Sequence, residues 1–302
     1  MIDSYASSLL SDRYGLASKL IKPATVGLGE STFIVISESD TSSVLKYYNI
    51  YTRAESIAKL HNYLAEQGAP VPHVILNREG DLVCKQGKKY AVLYTFCKGV
   101  AIGWTEISSK LSPELSRDLA RITSNLHAVL LKDSESVNPH INILEYKSSD
   151  LAISSTLNKT KLRRSIIHGD ITRENVLLTT DRNAVNAIID FDDAKYGYLA
   201  YDIAVLLTQI YVTKTWGIDM HGIADFMSAY SSELPLNKEE LESIYTFMVQ
   251  KNNELITECN QKLAEHIENQ ETLLSIHDSA SQKLKLLELH QSELQTILNG
   301  HE

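Results

Sequence analysis

The amino-acid sequence predicts an α+β fold made of two lobes. Strand-like apolar runs dominate the first hundred residues, with one clear helical segment among them, whereas the remainder reads mostly as helix. A chain of 302 residues also suits two lobes better than one compact core. We therefore expect an antiparallel sheet plus a helix over residues 1–97, and a mainly helical lobe with one short hairpin over residues 98–302.

Composition is that of an ordinary globular protein, with 43% hydrophobic and 22% charged residues. No apolar run has the length of a membrane span, and the first five residues lack the features of a signal peptide. We expect a cytoplasmic protein with no membrane partner. A net charge of -9 disfavours nucleic acid as a partner. Three widely spaced cysteines fit neither a disulfide framework nor a metal site.

The first lobe opens with a short helix and two strand-like runs joined by a glycine-containing turn, residues 26–32. Gly27 and Gly29 would let backbone N–H groups, together with Ser31, approach phosphate oxygens without obstruction by a side chain. Two glycines in this spacing are most often only a turn. The turn therefore indicates a phosphate-binding site only in combination with the strand that follows it in the chain.

That strand-like run, residues 43–48, carries Lys46 at its middle. A strand lysine usually faces solvent, but after a glycine hairpin it is positioned to contact the phosphates of a nucleotide. A helix is predicted from about Thr52 to Gln67. Glu55 in its first turn is a candidate partner that would keep Lys46 extended, and a favourable acid near a helix N-terminus is the alternative interpretation.

The run of residues 90–96 reads as a further strand, after which the pattern becomes helical. An extended segment that leaves a lobe offers backbone donors and acceptors to a nucleotide base. Leu93, Tyr94 and Phe96 are the candidates to contact that base. We expect the hinge between the lobes at about residues 93–98.

The most informative stretch begins at Ile166 and contains Asp170 and Asn175, with Asp190 following after a short hairpin. Both acidic segments follow apolar strand-like runs, so Asp170 and Asp190 are expected at the ends of neighbouring strands. Phosphoryl transfer needs one carboxylate to orient the acceptor hydroxyl, and an amide oxygen and a second carboxylate to hold metal ions. The three residues fit those roles in that order; ordinary turn residues are the alternative.

In this order the motifs resemble the aminoglycoside phosphotransferase and choline kinase group, small-molecule kinases with a protein-kinase-like bilobal fold. The matching segments are residues 27–31, Lys46, the helix bearing Glu55 and ending at residues 68–72, and residues 168–175, 189–192 and 201–204. Within the group, the N-terminal helix, the glycine turn and the Ile-Asp-Phe-Asp-Asp-Ala segment are similar to the homoserine kinase type II branch. The aminoglycoside branch is a close competitor.

The resemblance implies ATP or GTP as phosphate donor, Mg²⁺ as cofactor, and a hydroxyl group of a small molecule as acceptor. It gives Asp170 the role of catalytic base and makes Asn175 and Asp190 the metal ligands. His168 and Asp202 would support the shape of the catalytic loop.

The sequence departs from the family pattern at three places. Thr172 stands where many members carry a second histidine, the glycine turn holds only two glycines, and Asp192 replaces the glycine of the DFG motif. Asp192 would either add a carboxylate to the metal site or make a loop hydrogen bond. None of these departures removes a group that the chemistry needs.

Only about a dozen positions separate Asp190 from Asp202, which leaves no room for the activation segment of a protein kinase. We therefore expect a small acceptor, such as an aminoglycoside or homoserine. Polycationic acceptors would suit acidic helices beyond Trp216, at Asp219, Asp225, Glu239 and Glu242. A protein or stress-response kinase of the same fold and a nucleotide-binding module without catalysis are the alternatives.

Residues 236–299 form a long stretch of helical character that contains no proline or glycine. One interpretation is a helical hairpin that closes the acceptor site. The other is an amphipathic tail that forms a homodimer.

Overall fold

The computed structural model describes residues 2–24, 32–104, 110–132, 159–265 and 270–300. It begins with α1 (Ile2–Leu9), which continues into a short π-helix at Leu10–Tyr14. Gly15 ends this segment with a left-handed conformation, φ of 68°. Glycine adopts that conformation without the steric cost that a side chain would bring.

A six-stranded antiparallel sheet forms the first lobe. Its strands are β1 (Ser18–Pro23), β2 (Thr32–Ser37), β3 (Ser42–Tyr48), β4 (Val74–Ile75), β5 (Cys84–Gln86) and β6 (Lys89–Thr95). The order is β1-β2-β3-β6-β4, and β5 pairs with β6. The α2 helix (Tyr51–Glu66) connects β3 to β4.

The two faces of this sheet pack against different helices because side chains alternate along each strand. On one face, Leu45 and Leu93 are fully buried in a cluster with Leu10 near α1. On the other face, Val92 and Tyr94 pack with residues of α2. Lys46 lies directly opposite Val92 in the β3–β6 register and so belongs to the α2 face.

The second lobe contains a short hairpin and a separate strand pair. After β7 (Val100–Ala101) and α3 (Pro113–Lys132) come β8 (Arg164–Ile167), β9 (Val176–Leu178), β10 (Val185–Ile188) and β11 (Lys195–Tyr198). The hairpin β9–β10 is extended by β7, whereas β8 pairs with β11. The expectation that Asp170 and Asp190 end neighbouring strands is therefore wrong, since β8 and β10 belong to different sheets.

The helical part is built around α4 (Leu199–Tyr211), which is buried along nearly its whole length. The strands β12 (Val212–Thr213) and β13 (Gly217–Ile218) follow, then α5 (Met220–Glu233), α6 (Lys238–Ala264), α7 (Gln270–Leu289) and α8 (Gln291–Asn299). A capping box between Asn237 and Glu240 starts α6, and each side chain accepts the backbone N–H of the other residue.

This architecture confirms the predicted α+β fold, with an antiparallel sheet and helix followed by a mainly helical lobe. The boundary at residues 97 and 98 stays a prediction. Among the helices that the structure describes, none combines the length and apolar character that a bilayer crossing requires.

Candidate active site

The loop between β8 and β9 carries Asp170 and Asn175. Gly169 has a φ of 81°, and a Cβ atom there would lie 2.6 Å from the carbonyl oxygen of Asp193, so only glycine fits. The Asn175 amide nitrogen donates to the backbone oxygen of Asp170 at 2.9 Å and to its carboxylate at 3.2 Å. The side-chain nitrogen is thereby engaged, which makes the amide oxygen the atom suited to a metal ion.

Asp202, on α4, binds the start of this loop by hydrogen bonds to its backbone. Its carboxylate accepts the backbone N–H groups of His168 and Gly169, both at 2.8 Å, and lies 3.1 Å from Nε2 of His127. His127 also contacts the Tyr230 hydroxyl at 2.8 Å. Burial alone would raise the pKa of Asp202, but the hydrogen bond from His127 helps to hold it below its ordinary value.

The His168 ring joins the two acidic loops. Its Nδ1 accepts the backbone N–H of Asp170 at 3.2 Å, and its Nε2 lies 3.1 Å from the carbonyl oxygen of Ile189. The ring also packs 4.4 Å from Phe191, centroid to centroid. Both nitrogens are used in fixing the backbone, which supports the structural role predicted for this histidine.

Lys46 reaches across from the sheet to the segment after β10. Its Nζ lies 2.7 Å from Asp190 Oδ1 and 2.7 Å from Asp192 Oδ2. Asp190 has a φ of 68°, an uncommon conformation for a residue with a side chain and one that often occurs at functional sites. The Tyr48 hydroxyl donates to Asp192 at 3.1 Å.

The two carboxylates respond differently to this shared lysine. Burial raises the pKa of both groups. At Asp190 the charge and the hydrogen bond of Lys46, with smaller contributions from His168 and a backbone N–H group, together outweigh burial, so the pKa is lowered. At Asp192 burial remains the larger effect and the neighbouring charge of Asp190 adds to it, so the pKa is raised. Asp190 is therefore the more firmly ionised oxygen donor of the pair.

The predicted pair between Lys46 and Glu55 is wrong. Glu55 accepts from the Tyr51 hydroxyl at 3.2 Å and pairs with Lys59 at 3.3 Å along the outer side of α2. The residue of α2 that lines the cavity beside Lys46 is His61. Burial lowers the pKa of His61 to about 3, so the ring is neutral and offers Lys46 no charge.

Two of the three base-contacting candidates line the cavity between the lobes. Tyr94 and Phe96 are on its wall, with Cys97 and residues 99–102 beside them. Leu93 is a correction: its side chain is fully buried on the opposite face of the sheet, because alternate residues of a strand point in opposite directions. The predicted phosphate-binding residues Gly27, Gly29 and Ser31 lie outside the described residues.

The cavity has a volume of about 1630 Å³ and extends from the sheet past the catalytic loop to α6 and α7. At the sheet end it is lined by Lys46 and Asp190. At the opposite end its lining includes four basic residues, Arg173, Lys214, Lys251 and Lys283, together with Trp216, the acidic Glu174 and neutral polar residues of α7. This wall favours the interpretation in which the C-terminal helices close the acceptor site.

The cationic end of the cavity directly adjoins Asp170. Lys251 Nζ lies 3.8 Å from Asp170 Oδ1. Burial raises the pKa of Asp170, although the charge of Lys251 opposes that effect. Lys283 donates to Gln209 at 2.7 Å, and Arg173 lies 5.3 Å above the Trp216 ring. No sequence pattern marked these cations, because they come from separate elements far along the chain.

The acidic residues expected near the acceptor lie elsewhere. Each of the four pairs with a basic residue outside the cavity lining: Asp219 with Lys110 at 3.4 Å, Asp225 with Arg117 at 3.5 Å, Glu239 with Lys161, and Glu242 with Lys238 at 3.9 Å. None of these four acidic residues therefore contributes charge to the cavity, where basic residues outnumber Glu174 at the helical end.

A dedicated metal cage is absent from the part of the chain that the structure describes, since no group of three or more His, Cys, Asp or Glu is arranged to hold an ion. A hard cation bound partly by phosphates needs only one or two protein oxygen ligands. The amide oxygen of Asn175 and the carboxylate of Asp190 supply that kind of donor.

Residues 143–236 match the model of the phosphotransferase enzyme family. A homoserine kinase from Methylobacillus flagellatus is 24% identical over 259 residues, which cover 79% of this chain and 76% of that protein. A hydroxylysine kinase from Danio rerio is 20% identical over 316 aligned residues, covering 90% and 87%. The resemblance inferred from the motifs is confirmed.

Solved structures confirm the protein-kinase-like fold. Amicoumacin kinase in complex with AMP-PNP and Ca²⁺ aligns with a TM-score of 0.72 at 14% identity, covering 99% of this chain and 94% of that one. Spectinomycin phosphotransferase in complex with ADP aligns with a TM-score of 0.66 at 17% identity, covering 97% and 98%.

Proposed function

Because its catalytic segment matches the phosphotransferase enzyme family, we propose that this chain is a kinase that transfers the γ-phosphate of ATP, or of GTP, to a hydroxyl group of a small molecule. The observation that carries the proposal is the convergence of Lys46, Asp170, Asn175 and Asp190 on one cavity between sheet and helices. This set supplies a phosphate contact, a base and two oxygen ligands for a metal ion.

The sheet end of the cavity is proposed to bind the nucleotide. Tyr94 and Phe96 would contact the base, and Lys46 would contact the phosphates. Asn175 and Asp190 would hold Mg²⁺, which neutralises charge on the transferring phosphate when it is bound. Lys46 Nζ lies 2.7 Å from Asp190 Oδ1, so the proposed phosphate contact and the proposed metal ligand are neighbours.

Asp170 is proposed to orient the acceptor hydroxyl and to accept its proton. Burial raises the pKa of this carboxylate, which makes it a stronger base than an exposed aspartate. Asp202 accepts the backbone N–H of His168, and the His168 ring accepts the backbone N–H of Asp170 itself, so both fix the backbone that leads to this carboxylate. Such fixing matters because in-line transfer depends on placing the attacking oxygen accurately.

The segment between Asp190 and Asp202 supports a small acceptor. It consists of a short 3₁₀ turn, the strand β11 and the first residues of α4, all of them in the second lobe. A peptide substrate would need an activation segment at this place. We also propose that the protein is a cytoplasmic enzyme whose partners are a nucleotide and a small-molecule acceptor.

The substitution Asp170→Asn tests the proposal, because it removes the base and keeps the size of the side chain. We expect turnover to fall by at least about 100-fold while the Kd for Mg²⁺ and AMP-PNP changes by less than about threefold. Labelled phosphate transfer across a panel of alcohols and calorimetric nucleotide titration give the two readouts. Asp40→Asn, at an exposed turn, is the control; equal turnover in Asp170→Asn and Asp40→Asn would contradict the role of Asp170.

A further inference from the structure

We infer that the acceptor alcohol also carries an anionic group, of which a carboxylate is the simplest form, and that Lys283, Lys251 and Arg173 bind this group. The inference rests on the proposed kinase function and specifies the substrate class of that site. It concerns the end of the cavity that lies beyond Asp170.

Three elements bring cations to this end. Lys251 comes from α6 and lies 3.8 Å from Asp170. Lys283 comes from α7, and Arg173 comes from the catalytic loop, three positions after Asp170. All three line the cavity, so an acceptor whose hydroxyl reaches Asp170 would have its remaining atoms among these cations.

Lys283 gives the strongest indication. Its side chain is only 7% exposed, and its ammonium donates to the neutral amide oxygen of Gln209 at 2.7 Å. Within the described residues, no carboxylate lies within 4 Å of this ammonium. A buried charge without a counter-charge is costly, so a lysine at this depth is suited to a ligand that brings the opposite charge.

The surroundings disfavour a cationic acceptor. Lys214 also lines this end. Glu174 lines the cavity too, and its charge raises the pKa of Lys283, but Glu174 is exposed and forms no ion pair with that lysine among the described residues. A second ammonium brought here would meet like charges. Neutral polar residues of α7 complete the wall, namely Thr272, Ser275 and Ser279.

The test compares each acceptor that carries an anionic group with a related acceptor in which that group is neutral or missing. Initial rates are measured with Mg²⁺ and ATP for L-homoserine and its amide, for 5-hydroxy-L-lysine and its methyl ester, and for glycerol 3-phosphate and glycerol. We expect the anionic member of a pair to have a kcat/KM at least about tenfold higher. The carboxylate and phosphate arms show which anion is preferred.

The variant Lys283→Met then assigns the effect to the cavity. We expect the KM for the anionic acceptor to rise about 10- to 100-fold, with the KM for ATP nearly unchanged. Lys285→Met, at an exposed position of the same helix, is the matched control. Lys283→Arg retains the charge and should recover part of the affinity. Thermal unfolding of each variant shows that the fold is kept.

Three outcomes would overturn the inference. Equal rates for charged and neutral partners, or preference for cationic amino alcohols and aminoglycosides, would show that no anion is recognised. A rise in the KM for ATP instead of the acceptor would mean that Lys283 binds the nucleotide. Failure to phosphorylate any alcohol would instead count against the proposed function itself, and the inference would fall with it.

Discussion

Asp192 is the residue whose role changes most between sequence and structure. It stands where the DFG motif has glycine, and it supplies one of the two carboxylates that contact Lys46. The α2 helix offers no carboxylate to this lysine, since Glu55 pairs with Lys59 and the inward-facing residue is the neutral His61. We therefore propose that Asp192, together with Asp190, keeps the Lys46 side chain extended.

We expect Asp192→Asn to lower kcat/KM for ATP by about tenfold, because Lys46 loses one of its charged partners. Glu55→Gln should change the same quantity by less than about twofold, since its side chain lies on the outer side of α2. Steady-state kinetics with varied ATP measures both. A larger loss in Glu55→Gln than in Asp192→Asn would contradict this assignment.

Lys283 also predicts a pH dependence for acceptor binding. Burial lowers its pKa to about 8, with Glu174 opposing and Arg173 and Lys251 adding to that effect. The ammonium is charged below that pH and loses its proton above it. The KM for an anionic acceptor should therefore be constant at lower pH and rise as the pH passes about 8. In Lys283→Met the KM should be high and flat over the same range; a parallel rise there would exclude Lys283 as the cause.

At the scale of elements, the loop between β8 and β9 that carries Asp170 is held by residues of α3 and α4. His127 of α3 connects Asp202 of α4 with Tyr230 of α5, and all three side chains are buried. The loop itself contributes only backbone N–H groups to Asp202. The geometry of the loop is thus set by buried side chains of α3, α4 and α5.

We expect His127→Ala to destabilise the fold by about 3 kcal/mol, since two buried polar groups lose their partner. Tyr230→Phe removes only one of these hydrogen bonds and should cost about 1 kcal/mol. Denaturant unfolding gives both values, and kcat should fall only in His127→Ala. If both variants unfold at the same denaturant concentration as the parent protein, the bracing role assigned to His127 is wrong.

How much of the site can be predicted from the sequence depends on how far apart along the chain the contacting residues lie. Asp170 and Asn175 lie five positions apart in one loop, so their pattern was readable, whereas Lys46 meets Asp192 across the chain. The error at Glu55 has a geometric cause, because a shift of position around a helix moves a side chain from the inner to the outer face. The error at Leu93 has the same cause in a strand.

At the scale of the whole molecule, the two ends of one cavity differ in their electrostatic environment. The sheet end combines Lys46, a cation suited to phosphates, with two carboxylates, and a carboxylate is suited to a metal ion. At the helical end, lysine and arginine outnumber the one acidic residue, Glu174, among the described lining residues. Those cations come from positions between 173 and 283, and only the complete tertiary fold brings them together, which explains why the sequence suggested acidic residues there instead.

The arrangement predicts transfer from one end of the cavity to the other, with Asp170 between them. The most direct measurement is ³¹P NMR of the protein with Mg²⁺, ATP and the alcohol panel. We expect conversion of ATP to ADP together with a new phosphate monoester resonance on the acceptor, and its absence in Asp170→Asn. Conversion of ATP to ADP and free phosphate with no monoester, or a monoester formed equally by Asp170→Asn, would contradict the account.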